Sequence, residues 1–190
     1  AEIESICCIT AQHREMLEQV MEGFHVGADY DLDIMRQRQS LSTITTSILE
    51  KMEPLLREER PDLVLVHGDT TTSYAAALAA FYQQIPVGHV EAGLRTGDIY
   101  SPFPEEMNRL LTDRISTYYY APTQKNRENL LREGIRENIF VTGNTVIDAL
   151  HHTVQDDFHF EAALLERIDF AQKRVTLVTT HRRANPGEPM

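Results

Sequence analysis

Short apolar runs rich in β-branched residues recur along the chain at residues 3–10, 63–66, 85–90, 117–121, 139–142 and 175–180. Runs of this length and composition predict β-strands. Between most of them the spacing is helical. Residues 13–24 place Met16, Val20 and Phe24 four apart, residues 41–59 carry Ile44, Ile48, Met52 and Leu55, and residues 70–82 are rich in alanine. Side chains three or four apart share a helix face, so these segments predict helices. Strands that alternate with helices indicate βα units on a mainly parallel sheet covered on both faces. Pro61 and Pro86 punctuate the connections, and Gly143-Asn144-Thr145 predicts a tight turn into a helix over 146–150. Residues 151–174 are mostly polar and read as a connector before the last strand. No repeat and no low-complexity tract interrupts the pattern.

The length of 190 residues suits one domain or pieces of two, and exceeds that of a disulfide-stapled mini-protein. No apolar stretch approaches the roughly 20 residues of a membrane helix. Against 18 basic residues stand 29 acidic ones, a net charge of -11 that disfavours nucleic acid or an anionic membrane surface as partner. Cys7 and Cys8 are adjacent and poorly placed to bridge each other, so they read as small strand residues in a reducing cytoplasm. No secretory signal is recognisable, and a cytoplasmic location is expected. The chain opens almost directly on one apolar run and stops shortly after another, so neither end reads as a natural domain border.

In open parallel sheets ligands bind at the carboxyl ends of the strands. Asp69, Glu91, Asn144 and His181 each follow directly on such a run, and His67-Gly68-Asp69 echoes His89-Val90-Glu91. Neighbouring strands lie about 5 Å apart, so Asp69 and Glu91 would share a pocket if their strands are adjacent. Two carboxylates held close tend to differ in protonation, as transfer of protons in both directions requires. Plainer roles stand beside this one. Asp69 precedes Thr70-Thr71-Thr72-Ser73 and would serve equally as a helix N-cap. Glu91 would serve as a solvated loop acid, and His67 and His89 as hydrogen-bonded core histidines. Pro104 predicts a helix start with Glu105 and Glu106 in its first turn, where acids favour the helix dipole. The prolines around Phe103 also describe a stiff wall that would aim Glu105 into a cleft. His181-Arg182-Arg183 offers either a phosphate site or a solvated basic turn.

Gly68-Asp69 and Gly143-Asn144 match fragments of a metallophosphoesterase pattern. The Asp-x-His that should begin such a ligand set occurs only at Asp157-Phe158-His159, in the wrong order, so no metal is expected. Neither a dinucleotide fingerprint nor a P-loop is present, and neither NAD nor ATP is implied.

Taken together, Ala11-Gln12-His13-Arg14, His67-Gly68-Asp69-Thr70-Thr71-Thr72, the ten residues from Gly88 to Gly97, Ser101-Pro102-Phe103-Pro104-Glu105-Glu106, Val141-Thr142-Gly143-Asn144-Thr145 and His181-Arg182-Arg183 closely resemble the bacterial non-hydrolysing UDP-N-acetylglucosamine 2-epimerases. The likeness runs from about residue 7 onward in the family's order. It implies an α/β fold with a Rossmann-like doubly wound parallel sheet, one half of a glycosyltransferase-B-like architecture with the active site between two domains. Residues 1–150 would be the N-terminal domain without its first strand, 151–174 a connector, and 175–190 the first strand and loop of the second domain. The implied activity interconverts UDP-N-acetylglucosamine and UDP-N-acetylmannosamine, in the cytoplasmic biosynthesis of cell-surface polysaccharide, with no cofactor and as a homodimer in the complete protein.

By motif position, Asp69, Glu91 and Glu105 match the family's catalytic carboxylates, with acid and base not distinguished. His181 matches a histidine at the nucleotide diphosphate, and Arg182 lies beside it. Gln12 and Arg38 match a regulatory site for a second UDP-N-acetylglucosamine in some members. The chain departs from the family in several places. The family's opening Gly-Thr-Arg-Pro-Glu loop and most of the second domain are missing, Glu15 stands where that regulatory site has glutamine, and Ala184-Asn185 replaces Glu-Asn. The missing half-cleft leaves two other readings open: a nucleotide-sugar binding or assembly module without catalysis, and a glycosyltransferase of the same architecture.

Overall fold

The computed structural model describes residues 3–10, 14–34, 36, 39–154, 158–160, 162–170 and 172–178. Thirteen elements follow one another among them: β1 (Cys8–Ile9), α1 (Arg14–Gly23), β2 (Tyr30–Asp31), α2 (Leu41–Glu59), β3 (Val64–His67), α3 (Thr71–Tyr82), β4 (Val87–Val90), α4 (Glu105–Ile115), β5 (Tyr118–Ala121), α5 (Gln124–Arg132), β6 (Ile139–Val141), α6 (Thr145–Thr153) and α7 (Ala163–Glu166). The strands form two parallel sheets, β1-β2 and β3-β4-β5-β6. The expected α/β class with a parallel sheet is therefore observed.

Capping chemistry sets the helix boundaries. Ser40 begins α2 by accepting the Thr43 N–H, Thr123 begins α5 by accepting that of Asn126, and Asn144 begins α6 by accepting that of Val146 at 3.0 Å. Asn144, a candidate at a strand end, thus serves as a cap. The α2 helix buries Ile44, Ile48, Met52 and Leu56 against the alanine-rich α3, whose Ala75, Ala77, Ala79 and Ala80 permit close approach. The helix α3 in turn packs on β3, β4 and α4, while α5 packs on β5 and β6.

Helix α1 forms within the residues its spacing predicts, with Val20 and the following Phe24 exposed. Two expectations change. Residues 175–178 form no strand, and no partner strand lies beside them among the described residues; an unpaired strand leaves its backbone groups to water. On the sheet, Leu65 and Phe140 are 59% and 48% exposed, so one face is only partly covered among the described residues. No described helix is long and apolar enough to cross a membrane.

Candidate active site

The strands β3 and β4 are neighbours, with His67 opposite Val90, so Asp69 and Glu91 emerge side by side. The Gly68 N–H donates to the Val90 carbonyl at 2.9 Å, and Gly68 turns with φ +71°, a region that favours glycine. A Cβ on Gly68 would lie 3.2 Å from Glu91 Oε2, which places the Glu91 carboxylate directly over the Gly68 backbone. Glu91 itself holds φ +72°, which costs a residue with a side chain about 1–2 kcal/mol. The N–H groups of Glu91 and Ala92 both donate to the Tyr120 carbonyl, at 3.0 and 3.1 Å, and keep it there. The His67 ring stands 3.9 Å from Glu91 Oε2 with its side chain 58% exposed, so it is not a core histidine.

Asp69 is not the N-cap of α3. That role falls to Thr70, whose hydroxyl accepts the Ser73 N–H at 3.2 Å. The Asp69 carboxylate instead faces Arg109 Nε at 3.3 Å, and its carbonyl accepts from Asn108 Nδ2 at 2.9 Å. Glu105 opens α4, with Pro104 at its N-cap. The Glu105 carbonyl accepts from the same Arg109 Nε at 3.4 Å, so the first turn of α4 is pinned beside Asp69. Asp69, Glu91 and Glu105 are all half-buried, and the two strand ends and the helix turn that carry them converge on one rim.

Below this rim lies a network that joins His89 and Glu106 to Arg95, Arg109, Asp113 and Glu133. Glu106 is 1% exposed. Its Oε1 accepts the N–H groups of Thr96 at 2.9 Å and Gly97 at 3.1 Å, while Oε2 faces Arg109 Nη1 at 3.5 Å and accepts no hydrogen bond. The His89 ring, a buried core histidine as expected, meets Asp113 Oδ1 at 2.6 Å through Nδ1 and the Gly68 carbonyl at 2.9 Å through Nε2. Asp113 Oδ2 accepts from Arg95 Nη2 at 2.6 Å, and Arg95 also donates twice to Glu133, at 2.6 and 2.8 Å. Burial alone would weaken the Arg95 charge, but Glu133 and Asp113 outweigh it and push its pKa upward. Burial, and then the Asp113 charge, likewise raise the Tyr119 pKa. A signal existed for part of this network. Glu106, Arg109 and Asp113 recur at three- and four-residue spacing, a polar stripe on one face of α4.

Gly93 anchors the loop above the network. Its φ is +82°, a Cβ there would approach the Asn126 carbonyl oxygen to 2.3 Å, and its own carbonyl accepts from Asn129 Nδ2 at 2.9 Å. A cavity of about 260 Å³ lies between this loop, α4 and α5, lined by Arg95, Glu106, Arg132 and Glu133 rather than by the three rim carboxylates. Gln12, Arg38, His181 and Arg182 lie outside the described residues. Among the described residues no group of three or more His, Cys, Asp or Glu side chains could hold a metal ion.

A parallel α/β domain with acids at the ends of adjacent strands does not by itself fix a function, and comparison with known proteins narrows the choice. The family model for UDP-N-acetylglucosamine 2-epimerase matches residues 1–190, and the chain belongs to that family. It is 52% identical to the UDP-N-acetylglucosamine 2-epimerase of Bacillus subtilis over all of this chain and 49% of that protein. It is 54% identical to that of Escherichia coli K12, over 97% of this chain and 50% of that protein. The chain thus spans about half the length of the curated relatives it matches. Among solved structures, the Neisseria meningitidis UDP-GlcNAc 2-epimerase bound to UDP-GlcNAc superposes with a TM-score of 0.77 at 59% identity, covering 79% of this chain and 41% of that one.

Proposed function

We propose that the complete protein carrying this chain interconverts UDP-N-acetylglucosamine and UDP-N-acetylmannosamine by inverting C2 of the sugar. The observation that carries the reading is the gathering of Asp69, Glu91 and Glu105 from the ends of β3 and β4 and the start of α4. Membership of the family supports it, as does the nucleotide sugar bound by the Neisseria relative.

The C2 proton lies next to an acetal carbon and is not acidic until the bond from C1 to UDP loosens. As that bond breaks, its electron pair leaves on UDP, the C2 proton passes to a carboxylate, and the C2–H pair becomes the C1=C2 bond of 2-acetamidoglucal. Re-addition of UDP with protonation from the other face inverts C2. Proton-transfer groups are therefore required on both faces of the ring, which supports a role for more than one of the three carboxylates. Cationic donors must hold the departing diphosphate, and His181 with Arg182 are assigned that task. Residues 1–150 constitute the N-terminal domain without its first strand, residues 151–174 a connector, and residues 175–190 the start of a second domain that completes the cleft. Gln12 and Arg38 are assigned to a regulatory substrate site, and the complete protein to a homodimer.

Proton NMR in D2O tests the reading. Solvent deuterium should enter C2 during turnover by the full-length protein, and Asp69→Asn or Glu91→Gln should slow turnover by about 10²–10⁴-fold. Epimerisation with the C2 proton retained would overturn the mechanism.

A further inference from the structure

His89 is fully buried, and the acceptors at its two ring nitrogens fix its protonation. At Nε2 the partner is the Gly68 carbonyl, 2.9 Å away, which can only accept, so Nε2 must carry a proton. At Nδ1 the partner is Asp113 Oδ1, 2.6 Å away. The other oxygen of Asp113 receives the Arg95 guanidinium at 2.6 Å and the Gly93 N–H at 3.3 Å, and two such donors favour the ionised carboxylate. The proton between the pair therefore resides on Nδ1, and the ring carries both. A neutral ring would set a bare nitrogen against either a carbonyl or a carboxylate. The charges close within the cluster, since the imidazolium and Arg95 face Asp113 and Glu133.

The position of this cation gives it a role. One nitrogen holds the carbonyl of Gly68, the residue before Asp69; the ring itself stands two residues before Glu91; and the other nitrogen holds α4, which supplies Glu105, Arg109 and Asn108. It is the point at which the three segments bearing the rim carboxylates are tied together. We propose that His89 is a buried imidazolium that acts as a positioning residue, fixing Asp69 and Glu91 against each other through the Gly68 carbonyl and Asp113. The catalytic part of this assignment rests on the epimerase reading; the protonation part does not.

Nitrogen-15 NMR of the histidine rings tests the protonation directly. Two protonated nitrogens, each coupled to a slowly exchanging proton, are expected for His89, and one bare nitrogen overturns the assignment. Steady-state kinetics of the full-length protein test the positioning. His89→Gln keeps an N–H for the Gly68 carbonyl but not the charge or the second bond, and should lower kcat by about 10²-fold with KM for the nucleotide sugar little changed. Wild-type kcat in a folded H89Q protein overturns the role. If H89Q does not fold, Asp113→Asn carries the same test: it should strip one ring proton and lower kcat, and full activity over a neutral ring overturns the proposal. Failure of the wild type itself to exchange C2 hydrogen would overturn the epimerase reading while leaving the nitrogen signals to decide the protonation.

Discussion

Where α2 meets α3, the buried side chains are Ile44, Ile48, Met52 and Leu56 against a row of alanines. Where α4 meets the ends of β3 and β4, they are Glu106, Asn108, Arg109, Thr112 and Asp113. Both faces are withdrawn from water to a similar degree, but different forces hold them. Burying one large aliphatic side chain contributes about 1.5–3 kcal/mol. A buried ion pair often does no better than apolar residues of the same volume, because each charge must first leave water. Stability alone would therefore have built α4 like α2. The difference teaches that α4 is specified for direction: Arg109 turns toward Asp69, Glu106 toward the loop at Thr96 and Gly97, and Asp113 toward His89 and Arg95, each with a geometry that an apolar side chain would leave loose.

If this contrast holds, the two faces should fail differently. Asp113→Ala leaves Arg95 and His89 buried beside a void, and chemical denaturation should show a loss of about 3–5 kcal/mol. Ile48→Ala on the apolar face should lose about 2–4 kcal/mol by the same measurement while the folded full-length protein keeps its activity, since the cavity lies away from the rim. An Ile48→Ala protein that folds but is inactive would dissolve the division. Glu106→Gln keeps an acceptor for the Thr96 and Gly97 N–H groups but removes the charge facing Arg109. It should cost about 1–3 kcal/mol and speed hydrogen exchange in the loop after Glu91 more than in α2.

The smallest effect concerns Cys8, which packs against the apolar core. Burial, then the neighbouring Cys7 and Asp31, push its thiol up to about 11. The folded state thus binds the thiol proton more tightly than the unfolded chain, and this contribution fades as pH rises from the ordinary thiol value of 9.0 toward 11. Alkylation of Cys8, followed by mass spectrometry, should keep accelerating across that range. A rate already level at pH 9 would contradict it.

These two faces also differ in how far the sequence discloses them. Helix α2 spans the residues its spacing predicts, and β3 to β6 fall on four of the apolar runs, because burial of alternate or fourth residues is a local pattern. The pair β1-β2 is less legible: Tyr30–Asp31 has too few apolar residues to register, and it exists through hydrogen bonds to residues 7–10. Asp69 and Glu91 are visible as acids at strand ends, but only strand adjacency shows that they meet. The capping of α3 by Thr70 rather than Asp69 depends on which side chain the turn at Gly68 directs inward, and no local pattern states that. Arg95 and Glu133 are 38 residues apart, and their ion pair follows from docking of α5 at Gly93.

The backbone of Glu91 bears on how such a protein would drift. A glycine there would adopt φ +72° without strain and would still offer its N–H to the Tyr120 carbonyl. Folding would not defend the glutamate, and a lineage released from the need for its carboxylate would find its replacement easy. An acid held at this conformation is thus explained by what its carboxylate does and not by what the backbone needs.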